Sequence, residues 1–252
     1  MSQSIYHISF LNLLWIFIPV FVVIVIFFRW SLGVSTVLHG LFRMCLQLIL
    51  VGYVLNFLFD SNQPLIIVGV LCIMLVAAGI IALRPIRKKR RNLYLKAFLS
   101  ISISGVITLI IVTQGVINLT PWYKPQYLIP IAGMIFANSM NAVSLAAERL
   151  EVELGRKEEY LKARASAFRA ALIPVINSLF AVGIVSLPGM MTGQILSGVS
   201  PLVAARYQIM VMCMVFGSAG ISTALYIKFV GGSYQFKNNR DSHNEKKSDA
   251  DD

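Results

Sequence analysis

The side chains able to do chemistry in this 252-residue chain are few, and most stand inside long apolar runs. Gln47, Asn138, Asn141, Asn177, Thr192 and Gln194 are uncharged polar groups in such runs, accompanied by Met134, Met140, Met190 and Met191. A buried amide either hydrogen-bonds a neighbouring helix or lines a path for a solute. Thioethers are soft ligands, better suited to Cu(I) than to hydrated iron, and commonly serve only to fill space. Arg43 is a charge within a run, about one turn from its expected cytoplasmic end. It can snorkel to headgroups or meet backbone carbonyls, Gln47, an anionic lipid or an anionic substrate.

A second set is densely charged. Residues 148–169 read ERLEVELGRKEEYLKARASAFR. At about 100° per residue, Leu150, Leu154, Leu161, Ala165 and Phe168 share one stripe, with charges of both signs elsewhere. Glu158 and Lys162 have the i,i+4 spacing of a helical ion pair, and Gly155 is expected to divide the segment. A solvated connector helix on the membrane surface and a docking surface for a partner both fit this pattern.

Equally informative is what the chain lacks. No apolar run contains Asp or Glu, and the three histidines, His7, His39 and His243, lie near or beyond run ends. Proton-coupled carriers relay through buried carboxylates or histidines, so that class is disfavoured. No H-E-x-x-H and no G-x-x-x-x-G-K-[ST] occurs, and no catalytic constellation is apparent. Cys45, Cys72 and Cys213 are isolated within apolar runs and read as packing residues, not as a disulfide or zinc framework. We therefore expect no catalytic residue, no metal ligand set and no cofactor held by the chain itself.

The elements that must position these groups are membrane helices. Hydrophobic residues make up 57% of the chain and charged residues 13%, about half the charge of a soluble domain. Mean hydropathy is +0.75. Runs long enough to span a bilayer fall at about 10–28, 38–58, 65–83, 97–119, 127–147 and 207–229. A seventh, over 170–199, is broken by Pro174, Gly183, Pro188, Gly189 and Gly193. The first run lacks the basic flank and small-residue cleavage site of a signal peptide. Between Asp60 and Glu148 there is no carboxylate, and 84–96 carries seven basic residues. That loop belongs in the cytoplasm. The net charge of +11 is thus membrane topology rather than a nucleic-acid surface.

The expected fold is an all-α, polytopic membrane protein with about seven transmembrane helices, N-terminus outside and C-terminus cytoplasmic. Residues 1–230 form the membrane domain and 231–252 a polar, disordered cytoplasmic tail. No internal repeat of the secondary-transporter kind is visible.

Several passages carry a closer resemblance. They are RMCLQLILVGYV from Arg43, IPIAGMIFANSMNAVS from Ile129, RAALIPV from Arg169, VSLPGMMTG from Val185 and YQIMV from Tyr207. Over roughly 38–230 the chain resembles the FetB-type family of ABC transporter permeases, described as iron exporters, with plant relatives linked to aluminium tolerance. The resemblance implies a homodimeric permease in the cell membrane, driven by a separate ABC ATPase that uses the ATP. It also implies that Glu151, Glu153, Leu154 and Gly155 are a worn form of the E-A-A…G coupling motif, with Arg169 following. Arg43, Gln47, Met134, Asn138, Met140, Asn141, Pro188, Met190 and Met191 are then candidates for the translocation path. An ATPase-independent carrier or channel and a membrane scaffold are the alternatives.

Overall fold

Hydrocarbon offers no partner for a free backbone N–H or C=O, so apolar runs of this length must close their hydrogen bonds within helices. The computed structural model describes residues 9–60, 63–86 and 91–248, without the side chains of Phe10, Asp60 and 233–248. The middle of the basic loop 84–96, at 87–90, lies outside the described residues, as do 1–8 and 249–252. Among the described residues there is no strand, only an isolated bridge between Val182 and Ser186.

The helices are α1 (Phe10–Leu13), continued by a 3-10 turn, α2 (Phe17–Arg29), α3 (Val34–Asp60), α4 (Pro64–Ala82) and α5 (Arg91–Ile110). A π-helical turn, Ile111–Val116, ends α5; α6 (Pro125–Gly155), α7 (Tyr160–Ala181), α8 (Gly189–Leu196) and α9 (Pro201–Ser248) follow. The backbone of α9 is helical through Ser248, where composition led us to expect a disordered tail from 231. Extending an existing helix through Lys, Arg and Glu costs far less than starting one.

Six helical stretches among the described residues are long and apolar enough to cross a membrane: Leu11–Arg29, Val34–Phe59, Pro64–Ala82, Arg91–Val116, Pro125–Gly155 and Pro201–Gly232. The seventh expected run, 170–199, is not one continuous helix of spanning length. There α7 begins within the charged segment at Tyr160 and stops at Ala181. Beyond Arg169 it has an apolar length of about 18 Å, short of the roughly 30 Å hydrocarbon core. Gly183 then takes φ +83, outside helical geometry, and α8 begins at Gly189 after Pro188.

The described chain divides into two units. The first holds α1, α2 and α3 with Leu196–Gly198. Here α2 ends with Ser31 at φ 54, the Leu32 N–H bonding to the Phe27 carbonyl and the Ser31 N–H to Phe28. This is a Schellman stop, and Gly33 at φ 76 completes the reversal into α3.

In the second unit α6 is central, packing on α4, α5, α7 and α9. Its buried face runs through Leu128, Ile131, Ala132, Ile135, Ser139, Ala142, Val143, Ala146 and Leu150, the i, i+3, i+4, i+7 spacing of one helical side. Apolar burial drives association weakly in lipid, so small side chains and interhelical hydrogen bonds carry the packing. Accordingly α5 buries Ala97, Ser100, Ser104, Gly105 and Thr108, and α9 buries Ser218, Ala219, Ser222 and Thr223. The Ser104 hydroxyl donates to the Ser218 carbonyl at 2.8 Å, tying α5 to α9.

Where α5 meets α6, a Cβ at Gly105 would stand 2.7 Å from Cε1 and 2.9 Å from Cδ1 of Phe136. Gly105→Ala should therefore destabilise the unit by about 1–3 kcal/mol, as overpacking does. A lower unfolding midpoint in detergent would show it, and Phe136→Leu in the same chain should restore part of the loss.

Candidate functional site

At 31 residues α6 is about 46 Å long, more than the hydrocarbon core requires. Its last turns, in the charged segment, therefore stand clear of the membrane. The helix stops at Gly155 by a second Schellman arrangement: the Glu158 N–H reaches the Glu153 carbonyl at 3.2 Å and the Lys157 N–H the Leu154 carbonyl at 3.2 Å. Lys157 occupies the left-handed position at φ 63, where glycine is usual. Lys157→Gly should stabilise the hairpin by up to about 1 kcal/mol by relieving that conformation, seen as slower proteolysis between 155 and 160.

Four residues turn the chain from α6 into α7, and a closed polar ring holds the two together. Arg149 and Glu153, one turn apart on α6, form an ion pair. The Arg149 Nε donates to the Ser166 hydroxyl on α7 at 3.0 Å, and that hydroxyl donates to Glu153 Oε1 at 3.1 Å. Glu153 is buried, at 8% exposure, while Arg149 is partly in solvent. The guanidinium and hydroxyl together satisfy a carboxylate that would be costly to bury alone.

The first residue of α7 is also fixed to α9. The Tyr160 hydroxyl donates to the Ile227 carbonyl at 2.8 Å. Gly231, one turn further along α9, leaves room for the ring, since a Cβ there would overlap the tyrosine hydroxyl. Burial raises the Tyr160 pKa, with Arg164 opposing that shift.

Among the expected coupling residues, Glu153 is buried, Glu151 and Leu154 are half-buried, and Gly155 is the exposed last residue of α6. Arg169 is exposed further along α7. The single stripe expected across 148–169 is corrected. The break at 156–159 puts Leu150 into the core of α6, while Leu161, Ala165 and Phe168 are exposed on α7. The buried positions of α7 are instead Ala163, Ala167, Ala171, Leu172 and Val175. Arg149, Ser166, Tyr160 and Gly231 were not singled out from the sequence. The i,i+4 spacing of Arg149 and Glu153 was readable; the partners across helices were not.

The expected path residues fall on several helices. Arg43 and Gln47 are exposed on α3 in the first unit. Met134, Asn138 and Met140 are half-buried on α6, and Asn141 is exposed there. The Asn138 amide donates back to the Met134 carbonyl of its own helix at 2.8 Å. Pro188 ends the break before α8, its carbonyl accepting the Thr192 N–H at 2.9 Å and hydroxyl at 3.1 Å. Met190 is exposed and Met191 half-buried on that helix. Among the described residues no three His, Cys, Asp or Glu side chains gather as a metal site.

Comparison with known proteins agrees with this architecture. The model of the uncharacterised protein family UPF0014 matches residues 10–164 and 155–234. The UPF0014 membrane protein slr1647 of Synechocystis is 38% identical over 72% of this chain and 76% of its own length. Escherichia coli FetB, named a probable iron export permease protein, is 34% identical over 82% of each chain. The Arabidopsis thaliana protein ALUMINUM SENSITIVE 3 is 33% identical over 79% of each. No solved structure matches.

Proposed function

The chain belongs to family UPF0014 and is a multi-pass membrane protein, and from that premise we propose that it is the membrane-spanning permease subunit of an ABC transporter. The observation that carries this reading is the α6–α7 hairpin. A transmembrane helix runs past the membrane, ends in a defined stop, and is clamped to the next helix by a buried carboxylate ring. Such a rigid projection can be pushed by a partner and pass the motion to helices in the lipid. The turn offers Glu151, Leu154 and Gly155, and α7 offers Leu161, Phe168 and Arg169, as a mixed apolar and charged surface.

The chain has no phosphate-binding loop of its own, so ATP would be bound and hydrolysed by a separate subunit, with two copies of this chain forming the permease. It would act as a transporter subunit rather than an enzyme, in the cell membrane. The cytoplasmic face carries 84–96, the hairpin and the C-terminus, with the N-terminus outside. In this arrangement α7 enters from the cytoplasm and the broken segment 182–199 completes its crossing. By analogy with the relative named for iron export, the cargo is iron or a comparable metal or small solute, moved outward.

Purification of the tagged full chain from its host in mild detergent tests the reading. A stoichiometric ABC ATPase should accompany it. If none does, even after crosslinking, the carrier, channel or scaffold reading replaces this one.

A further inference from the structure

Three amides of the second unit lie where lipid could not satisfy them. Asn138 falls near the middle of the apolar part of α6, Asn141 one turn closer to the cytoplasmic end, and Asn177 on α7. Asn141 and Asn177 are exposed, and Asn138 is half-buried. Of these three amides, only Asn138 makes a side-chain hydrogen bond to the described residues, and that bond is to its own helix.

The register of the hairpin brings them to one level. Arg149 and Ser166 meet across α6 and α7 at 3.0 Å. Counting eleven residues back from Arg149 reaches Asn138, and eleven forward from Ser166 reaches Asn177. Eleven residues are three turns to within about 20°, a rise of about 16 Å. Asn138 and Asn177 thus lie on the two stripes that face each other at the polar ring, three turns deeper, and Asn141 is beside Asn138 at i+3. Exposed amides at this depth are tolerated where they meet protein or a water-filled cavity.

We propose that Asn138, Asn141 and Asn177 form a single hydrated patch near the bilayer midplane, lining the route of a polar solute. The patch carries no charge. Its amide oxygens and NH2 groups can replace water around a hydrated solute of either sign, suiting transient passage rather than tight capture. This deepens the permease reading and rests on it. Asn177, in the sequence one of several amides that could pair between helices or line a path, becomes its α7 wall.

Water at the patch can be tested without an ATPase or a known cargo, so its failure is separable from failure of the ABC assignment. Asn138→Cys, Asn141→Cys and Asn177→Cys are made singly in the full chain and reconstituted into phosphatidylcholine vesicles. Labelling by a charged, membrane-impermeant methanethiosulfonate is measured against the unsubstituted chain, whose native cysteines supply the blank. Ile107→Cys, exposed mid-helix on α5, is the lipid-facing control, and three independent variants guard against one failing to insert. Labelling of the 141 and 177 variants at least tenfold faster than the Ile107 variant is expected. Rates equal to that control overturn the proposal. So does rapid disulfide formation between two copies without labelling, which would make the patch a contact between subunits.

Discussion

Gly231→Val should break the junction between α7 and α9 and abolish coupled transport while leaving the chain in the membrane. Even a Cβ at 231 would overlap the Tyr160 hydroxyl, and valine adds two methyl groups to that clash. Overpacking of this kind costs about 1–3 kcal/mol. The tyrosine would swing out and give up its hydrogen bond to the Ile227 carbonyl, a further loss of about 1 kcal/mol. Since α7 carries the turn onward from α6, the loss falls on the link between the projecting hairpin and a helix that crosses the membrane. The measurements are the detergent unfolding midpoint and nucleotide-driven transport in vesicles containing the ATPase. Tyr160→Phe alone should be mild, and combined with Gly231→Ala it should recover part of the single-variant loss, a coupling that a double-mutant cycle reads directly. Unchanged transport in Gly231→Val would sever the hairpin from α9 in any account of coupling.

The same junction has a pH dependence of known sign. Burial holds the Tyr160 pKa above its ordinary value in the folded chain. Its contribution is therefore complete below the unfolded tyrosine value of about 10 and declines as pH rises through the folded value. Tyr160→Phe should be less sensitive than the parent chain to alkaline unfolding above about pH 10.

Six of the membrane helices were legible because hydrocarbon imposes a length and a composition that single residues reveal directly. The charged segment was legible as a unit, and Gly155 as its break, because turn chemistry is local. Two features were hidden for physical reasons. The apolar stretch 170–199 looks long enough to span, yet a break at Gly183 and a new start at Gly189 divide it. Which of the residues Pro174, Gly183 and Pro188 kinks a helix and which ends one depends on what satisfies the freed backbone groups. Pro174 stays inside α7, while Pro188 lies outside any helix. The stripe through Leu150 and Phe168 failed because its 100° count ran on through the break expected at Gly155, whereas four residues of turn rotate the two halves independently. Ser166 and Gly231 carry no signal in a single sequence. A serine in a helix and a glycine near its end acquire meaning only from Arg149, Glu153 and Tyr160 across the interface.

Glu153→Ala should have the second large effect, and it bears on the ATPase most directly. Much of the ion pair with Arg149 is in solvent, so Coulomb attraction alone contributes little. The weight lies in the buried carboxylate as the acceptor for two donors from two helices, Arg149 on α6 and Ser166 on α7. Removing it leaves the Ser166 hydroxyl without its acceptor and Arg149 free to leave, at about 1–3 kcal/mol. That energy is drawn from the short segment that sets the angle between α6 and α7, not from the helices in lipid. Membrane insertion and the unfolding of the bulk should change little, while the ATPase recovered per permease should fall at least tenfold. Glu153→Gln, which keeps one acceptor oxygen, should fall between Ala and the parent. Glu159→Ala, on the exposed turn next to the start of α7, controls for charge and should shift stability by under about 0.5 kcal/mol. If Glu153→Ala retained a full complement of ATPase and Glu159→Ala lost it, docking would depend on the charge of the turn rather than on the geometry the ring enforces.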